Sequence, residues 1–510
     1  MAVIVKTKAM YINGFFKLND FHTNSVAGIA IHPSWWSRQY EYPWAFKFVK
    51  ENQIVADLGC GYTYRPFKNM LAIKCEKVYA VDSRQEALSL VIPEKNIELV
   101  LWDFTKPPPK KIPKHVDRIF CLSVLEEGVD IEKALVQFKK LIKPDGLIIL
   151  TFDVIADPSK PVGKYQGVNM ERFFRAVEKA ELQIVGGLDF SLENRLVHPD
   201  WNLSPFHCVL AHRDIPIKVK HQQKTPQILE WIKKNRIKGS GIAAWQGHDA
   251  YPEVTGYLIP TLLSYGETKL VRKLADWLVS VQDKSGGFMG LDGRLYSFDT
   301  AAALEGLAVA GSYFFDRNYS DAAASAKKWI SGNTLGSDGR IFSLSDRQEM
   351  CNYSLRVNGI TGISPLWIYA QNPAWPLLPL ADRSHYLSYA IEGLVALGMN
   401  GLAKEVLKNI DNAVSPAGFI SYKINPNWFP VTANDVCYAA TSQIGLLLTK
   451  LGIQSDLAEK LLDNLFAIID KSGGVPARPG YTATSWTGKW LLDFENAVYD
   501  KKSTQVLDID

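Results

Sequence analysis

Three acids stand at the ends of short apolar runs in the first hundred or so residues. Val55-Ala56-Asp57-Leu58-Gly59-Cys60-Gly61 closes on two glycines, Val78–Val81 ends in Asp82, and Ile97–Trp102 ends in Asp103. A strand that enters a tight glycine turn lets the backbone approach a ligand, and the following helix offers free N–H groups. An acid at the tip of the next strand can accept hydrogen bonds from the two hydroxyls of a ribose. The pattern asks for a nucleoside-like cofactor. Tyr64 stands where a dinucleotide fold wants its third glycine, which counts against NAD.

The elements needed to position these acids follow from the alternation of apolar patterns. Strands are expected at Ile54–Leu58, Lys77–Val81, Ile97–Trp102, Val116–Leu122 and Leu147–Phe152, and helices at Pro66–Cys75, Gln85–Leu90, Ile131–Ile142 and Met170–Ala180. Over 131–142 the apolar residues recur at three-and-four spacing, as on one face of a helix. Gln183–Val185 and His207–Ala211 are expected to pair as a hairpin around Leu196–Ser204. Before them lies an aromatic opening segment, Trp35–Trp44, in which Pro43 is placed to begin a helix running towards Glu51. Repeated strand–helix units imply a parallel sheet covered on both faces, with ligands at the strand C-terminal ends.

With Asp117–Glu126 as a fourth strand and its trailing loop, and Leu141-Ile-Lys-Pro144-Asp145-Gly146 before the fifth, residues ~35–213 resemble S-adenosylmethionine-dependent methyltransferases of the seven-stranded Rossmann-like fold. The resemblance implies S-adenosyl-L-methionine as cofactor and a role for each matched residue. Gly59 and Gly61, with Cys60 between them, would lay the backbone against the methionine part. Asp82 would hold the ribose hydroxyls, and Asp103 would accept from the adenine amino group with Phe104 or Trp102 beside the ring. Asp57 would orient the turn or meet the cofactor's ammonium through water. Relatives often carry an acid–His pair after the fourth strand, where this chain has Glu126-Glu127-Gly128. Asp153, beyond the fifth strand, and His198, in the late hairpin, are substitute candidates for a general base beside Glu126. Methyl transfer is an in-line displacement, so positioning and removal of one proton are what the protein must supply.

The chain has 510 residues, 47% hydrophobic and 22% charged, with a net charge of +4. Length implies more than one domain, and the slight charge implies no nucleic-acid partner. Six scattered cysteines show no metal-ligand or redox spacing, and no metal is expected. No signal peptide or membrane span is evident, so a cytoplasmic protein is expected. We divide it into an α/β domain at 1–215, a linker at 216–223 and an all-α domain at 224–510.

In that last part, helical stretches joined by Gly- and aromatic-rich loops recur with a loose period of ~30–55 residues. The first helix of each unit is richer in Ala, Leu and Gly and the second in Lys and Asp, as for inner and outer helices of a closed toroid. This half resembles the six-hairpin (α/α)6 toroids. Through Tyr251-Pro-Glu253-Val-Thr-Gly-Tyr257, Ser297-Phe298-Asp299-Thr300 and His385-Tyr-Leu-Ser-Tyr389 it is similar to a toroid family accompanying polysaccharide biosynthesis. Residues just before the inner helices would line its mouth: Trp245, His248, Asp249, Tyr251, Glu253, Asp299, Arg356, His385, Asp435 and Trp486. Aromatic faces with interleaved acids suit a sugar; the alternative is that they close the toroid structurally. No Asp-rich run of the terpene cyclase kind occurs.

The expectation is therefore a methyltransferase acting on a small-molecule or glycan-type acceptor, joined to a toroid that binds or processes carbohydrate. The alternatives are a catalytic toroid (lyase, hydrolase or epimerase) with a degenerate cofactor domain, or a non-catalytic scaffold.

Overall fold

The computed structural model describes residues 13–63, 65–161, 166–213, 224–366, 383–425, 428–432 and 434–506. Tyr64, the expected linker at 216–223 and the end of the stretch Tyr353–Ala370 lie outside them. The first half opens with β1 (Asn13–Phe15), the small hairpin β2 (Ser25–Val26) and β3 (Ile29–Ala30), and α1 (Arg38–Phe46). Pro43 lies inside α1 rather than starting it. A proline there cannot donate to the carbonyl four residues back. That carbonyl, of Gln39, instead accepts the Thr23 N–H at 3.0 Å, which ties the helix to the hairpin.

Alternation then follows as β4 (Ile54–Leu58), α2 (Phe67–Ala72), β5 (Lys77–Asp82), β6 (Ile97–Leu101), β7 (Val116–Leu122), α3 (Ile131–Leu141), β8 (Ile142–Ile155) and α4 (Met170–Lys179). The helix expected at Gln85–Leu90 is a 3₁₀ turn, Gln85–Ser89. β9 (Leu182–Ile184), β10 (Leu188–Asp189) and β11 (Leu203–His212) complete the half. β6, β5, β4, β7 and β8 run parallel in that order, and β11 adds antiparallel to β8. β9 pairs with β11 as expected, while β1 and β10 extend the sheet beyond the sequence prediction. The order reverses between β4 and β7. A crevice at the strand C-terminal ends belongs there.

The second half is helical: α5 (Thr225–Lys234), α6 (Pro252–Ser264), α7 (Thr268–Val281), α8 (Ser297–Phe314), α9 (Arg317–Trp329), α10 (Ser354–Thr361), α11 (Ser384–Ala396), α12 (Asn400–Val406), α13 (Tyr438–Leu451), α14 (Ser455–Ile468) and α15 (Ser485–Val506). α6 packs on α8, α8 on α10, α10 on α11, α11 on α13, α13 on α15, and α15 returns to α6. α5, α7, α9, α12 and α14 pack outside that cycle. Glycine lets the inner helices meet backbone to backbone: a Cβ at Gly256 of α6 would strike the Ala302 carbonyl of α8, and one at Gly393 of α11 that of Leu355 of α10. α8 is buried nearly all round, as an inner helix must be.

One hydrophobic core runs from a face of the sheet through the inner helices, and a second fills the other face beneath α1 and α2. The halves meet at the C-terminal ends of the inner helices. Asp500 of α15 accepts the Gly187 N–H at 3.0 Å, Phe174 of α4 stacks on Tyr313 of α8, and Arg272 of α7 pairs with Glu171 of α4 at 2.9 Å.

Candidate functional site

At the β4–β7 crevice the chain turns through Gly59 and Gly61, both in the left-handed region at φ +81° and +78°, where only glycine sits without strain. The Gly59 and Cys60 N–H groups donate to the Val81 carbonyl at 2.8 and 2.9 Å. Asp82 closes the turn: one carboxylate oxygen accepts from the Gly61 N–H at 2.9 Å, the other from the Arg84 N–H at 3.0 Å. Asp57 is buried behind the turn, and burial raises its pKa to about 7 although the Lys68 ammonium opposes the shift. Lys68 Nζ meanwhile holds the Cys60 and Arg65 carbonyls at 3.3 and 2.7 Å. Burial pushes the Cys60 thiol upward, so it is a neutral, inert member of the turn.

Asp103 follows β6 but folds on itself. Its carboxylate accepts from the Thr105 N–H and hydroxyl and pairs with Lys106, which lowers its pKa. Trp102 and Phe104 are 5% and 6% exposed. Trp102 donates its indole N–H to the Lys106 carbonyl, and Phe104 tilts against Phe138 of α3. Both rings pack mostly into the core, Phe104 with one side against Phe138.

Beside the glycine turn, Glu41 of α1 collects Arg38 Nη1 at 2.8 Å, Ser123 Oγ at 3.0 Å and Thr151 Oγ1 at 3.1 Å. Glu126 and Asp153 join this cluster, each with one buried carboxyl oxygen that has no hydrogen-bond partner. Burial and mutual repulsion hold Glu126 well above the usual carboxylate range. Burial followed by the Glu41 charge raises Asp153 to about 7. Among the described residues no group of three or more His, Cys, Asp or Glu side chains is placed to hold a metal ion. His198 lies apart: it stacks on Trp201 at 3.8 Å, meets Trp36 edge-on, and its Nδ1 accepts the Asp200 and Trp201 N–H groups at 3.2 Å. That nitrogen is committed to the turn. Arg38, Glu41, Ser123 and Thr151 escaped the sequence reading, although Arg38 and Glu41 carry a helical i, i+3 signal.

A second constellation lies at the N-terminal ends of the inner helices. Tyr251, Glu253 and Asp299 come close enough for the two carboxylates to raise the Tyr251 phenol after burial has done so. Burial first and the neighbouring carboxylate second raise Glu253 to about 8, and burial raises Asp299 to about 6. Trp245 meets His248 at 4.6 Å, and His385 stacks on Trp486 at 4.9 Å. Tyr353, Phe298, Tyr386 and Tyr389 continue the aromatic lining. Asp249 is exposed beside His248. Asp435 is bound to Arg478 at 2.5 Å, whose guanidinium covers Tyr422. Arg356 is a correction: it points not to this mouth but into the axis, where it binds Glu193 of the first half, Glu305 at 2.9 Å and Glu392 at 3.5 Å. Its charge needs those three buried acids.

Residues 56–150 match a family model described as a methyltransferase domain. No curated protein matches the chain. Among solved structures it is similar to an S-adenosylmethionine-dependent methyltransferase from Clostridium acetobutylicum ATCC 824, at 14% identity over 35% of this chain and 90% of that one, TM-score 0.26. A SAM-dependent methyltransferase from Aquifex aeolicus aligns at 21% identity over 34% of this chain and 92% of that one, TM-score 0.26. An alpha-amylase from Clostridium perfringens aligns at 13% identity over 55% of this chain and 99% of that one, TM-score 0.43. The sheet, the glycine turn and the family match define the class: the first half carries a methyltransferase domain. The protein is a methyltransferase enzyme, and its cofactor is S-adenosylmethionine.

Proposed function

We propose that the chain methylates a glycan or glycan-type small molecule, and that its helical half is an (α/α)6 toroid that binds the carbohydrate. The cofactor half begins at 1 and ends near 215, and the toroid occupies 224–510. The residues fit the cofactor: the positive-φ glycines leave room for close approach, Asp82 keeps lone pairs beyond its two backbone bonds, and buried Asp57 stands ready for an ammonium group. Gly59, Cys60 and Gly61 would hold its methionine part, Asp82 its ribose and Asp103 its adenine edge. When bound, the cofactor supplies an electrophilic methyl group on sulfur.

The unpartnered buried oxygens of Glu126 and Asp153 suit an acceptor that brings O–H or N–H donors; Asp153, at about 7, can take the proton released, while Glu126 holds the acceptor. Arg38 and Glu41 hold the loop after β7 over the turn. The observation that carries the carbohydrate assignment is the set of half-buried aromatics Trp245, Tyr353, Tyr386 and Trp486 at the same end of the helices as Glu253 and Asp299. Mass spectrometry of glycan precursors incubated with isotopically labelled cofactor tests the proposal. A gain of one labelled methyl is expected, lost together with calorimetric cofactor binding in Asp82→Ala. A methylated protein or nucleic acid in place of a glycan would overturn it.

A further inference from the structure

β7 ends at Leu122, and the next residue, Ser123, stands in the left-handed region at φ +50°. A side chain is strained there, and glycine is the ordinary occupant. Such an outlier persists only where its surroundings hold it. The Ser123 N–H donates to the Thr151 carbonyl at 2.8 Å and to Thr151 Oγ1 at 3.1 Å. Its hydroxyl accepts from Arg38 Nη1 at 2.6 Å and donates to the Glu41 carboxylate, whose two oxygens lie 3.0 and 3.1 Å away. Thr151 Oγ1 donates to Glu41 Oε2 at 3.1 Å. Glu41 and Thr151 are both fully buried. Helix α1, the loop after β7 and strand β8 are thus clasped at one carboxylate.

What the clasp fixes lies on either side of it. Val124, the next residue, packs so closely on Gly59 that a Cβ there would meet its side chain. The Glu127 N–H returns to the Val124 carbonyl at 3.1 Å, which puts Glu126 in the bend of a tight turn. On β8, Asp153 is two residues beyond Thr151 in an unbroken register and so on the same face of the strand. We propose that Glu41 is a positioning residue for methyl transfer: through Ser123 and Thr151 it sets the acceptor side, Glu126 and Asp153, against the glycine turn on the donor side. It rests on the acceptor-side role proposed above for those two acids. Glu41 is occupied by Arg38, Ser123 and Thr151, so it acts through them and not on the substrate. Its carboxylate offsets the backbone strain at Ser123, and the strained turn aims Val124 at Gly59. An in-line displacement tolerates little misplacement, since an error of about 1 Å can cost ~10²-fold in rate.

Three variants of the full chain separate the parts of the clasp. Ser123→Ala keeps the backbone strain and removes the hydroxyl that offsets it, Ser123→Gly removes both, and Thr151→Val removes a buried hydroxyl while keeping the side chain's shape. Each is assayed with isotopically labelled S-adenosylmethionine and a pool of glycan precursors, with cofactor calorimetry and thermal melting on the same preparation. Ser123→Ala and Thr151→Val should lower the rate at saturating cofactor about 10²-fold while the cofactor Kd stays within about threefold. Ser123→Gly, free to hold the left-handed turn, should recover to within about 10-fold of the wild type. A merely structural role would lower the melting transition and leave the rate per folded molecule unchanged. That outcome, a wild-type rate in Ser123→Ala, or Ser123→Gly as slow as Ser123→Ala overturns the positioning role. Hydrogen exchange on the cofactor-bound chain reads the clasp without an acceptor. Residues 122–128 should exchange about 10-fold faster in Ser123→Ala, and unchanged exchange overturns the clasp. If the wild type methylates nothing in the pool, the glycan reading fails while exchange still decides the clasp.

Discussion

Replacing Gly59 by alanine separates two costs that the glycine turn avoids. The residue sits at φ +81°, and an L-residue held there loses about 1–2 kcal/mol. Its Cβ would also stand 2.8 Å from Val124 Cγ1, and closer still to Cγ2, well inside the ~3.5–4.0 Å of an ordinary carbon contact. Relieving that overlap means displacing the loop after β7, at about 1–3 kcal/mol. Together about 2–5 kcal/mol is at stake, equivalent to roughly 30- to several-thousand-fold in affinity if all of it falls on cofactor binding. Calorimetric titration with S-adenosylmethionine and urea unfolding, done on the same preparations, show how the cost divides. Adding Val124→Ala removes the colliding methyls but not the backbone strain, so Gly59→Ala/Val124→Ala should recover all but about 1–2 kcal/mol. Wild-type affinity and stability in Gly59→Ala would refute the strain argument. A double variant no better than the single one would refute the contact.

Other consequences can be measured independently. Asp153→Asn and Glu126→Gln should cut the methylation kcat by about 10²- to 10⁴-fold with cofactor affinity unchanged; the wild-type rate should rise with pH through about 7 as Asp153 ionises, and Asp153→Asn should lose that rise. Asp57 is raised from 3.8 to about 7, so the folded state binds its proton more tightly than the unfolded one. The stability this contributes is full below pH ~4 and is lost as pH rises to 7, by up to about 4 kcal/mol at ~1.4 kcal/mol per unit; in urea unfolding without cofactor, Asp57→Asn should flatten this slope. Arg356→Met leaves Glu193 without its ion-pair partner and Glu305 and Glu392 with only the lysine charges of Lys489 and Lys450, and should cost about 3–5 kcal/mol near neutral pH, less at pH 5 where acids can take up protons. A loss under about 1 kcal/mol in denaturant unfolding would show that the axis is solvated.

What the sequence disclosed is what local backbone demand writes into it. Asp57, Gly59, Gly61 and Asp82 were legible because a strand, a positive-φ turn and the next strand tip lie close along the chain. Inner helices were legible from their Ala, Leu and Gly content, for the reason visible at Gly256 and Gly393, where two backbones touch. Glu41 was hidden because its partners Ser123 and Thr151 lie 82 and 110 residues away, and no periodicity records such a meeting. Glu305, Glu392 and Lys489 resembled the solvated charges of ordinary helices, yet they face the axis. Pro43 was misplaced because the segment just before β2, whose Thr23 N–H takes up the Gln39 carbonyl, carries no sequence mark of that role.

The contact between Glu193 and Arg356 has a topological meaning for any long substrate. It lies where the first half covers the C-terminal ends of the inner helices, and the cavity left there, about 70 Å³ and lined by Glu305, Glu392, Lys489 and Asp493, holds a few waters but no sugar ring. Among the described residues the axis is therefore a cul-de-sac. A polymer entering from the N-terminal ends of the inner helices could not pass through this cavity as through a pore. The glycine turn and the N-terminal ends of the inner helices share one polypeptide without sharing that cavity.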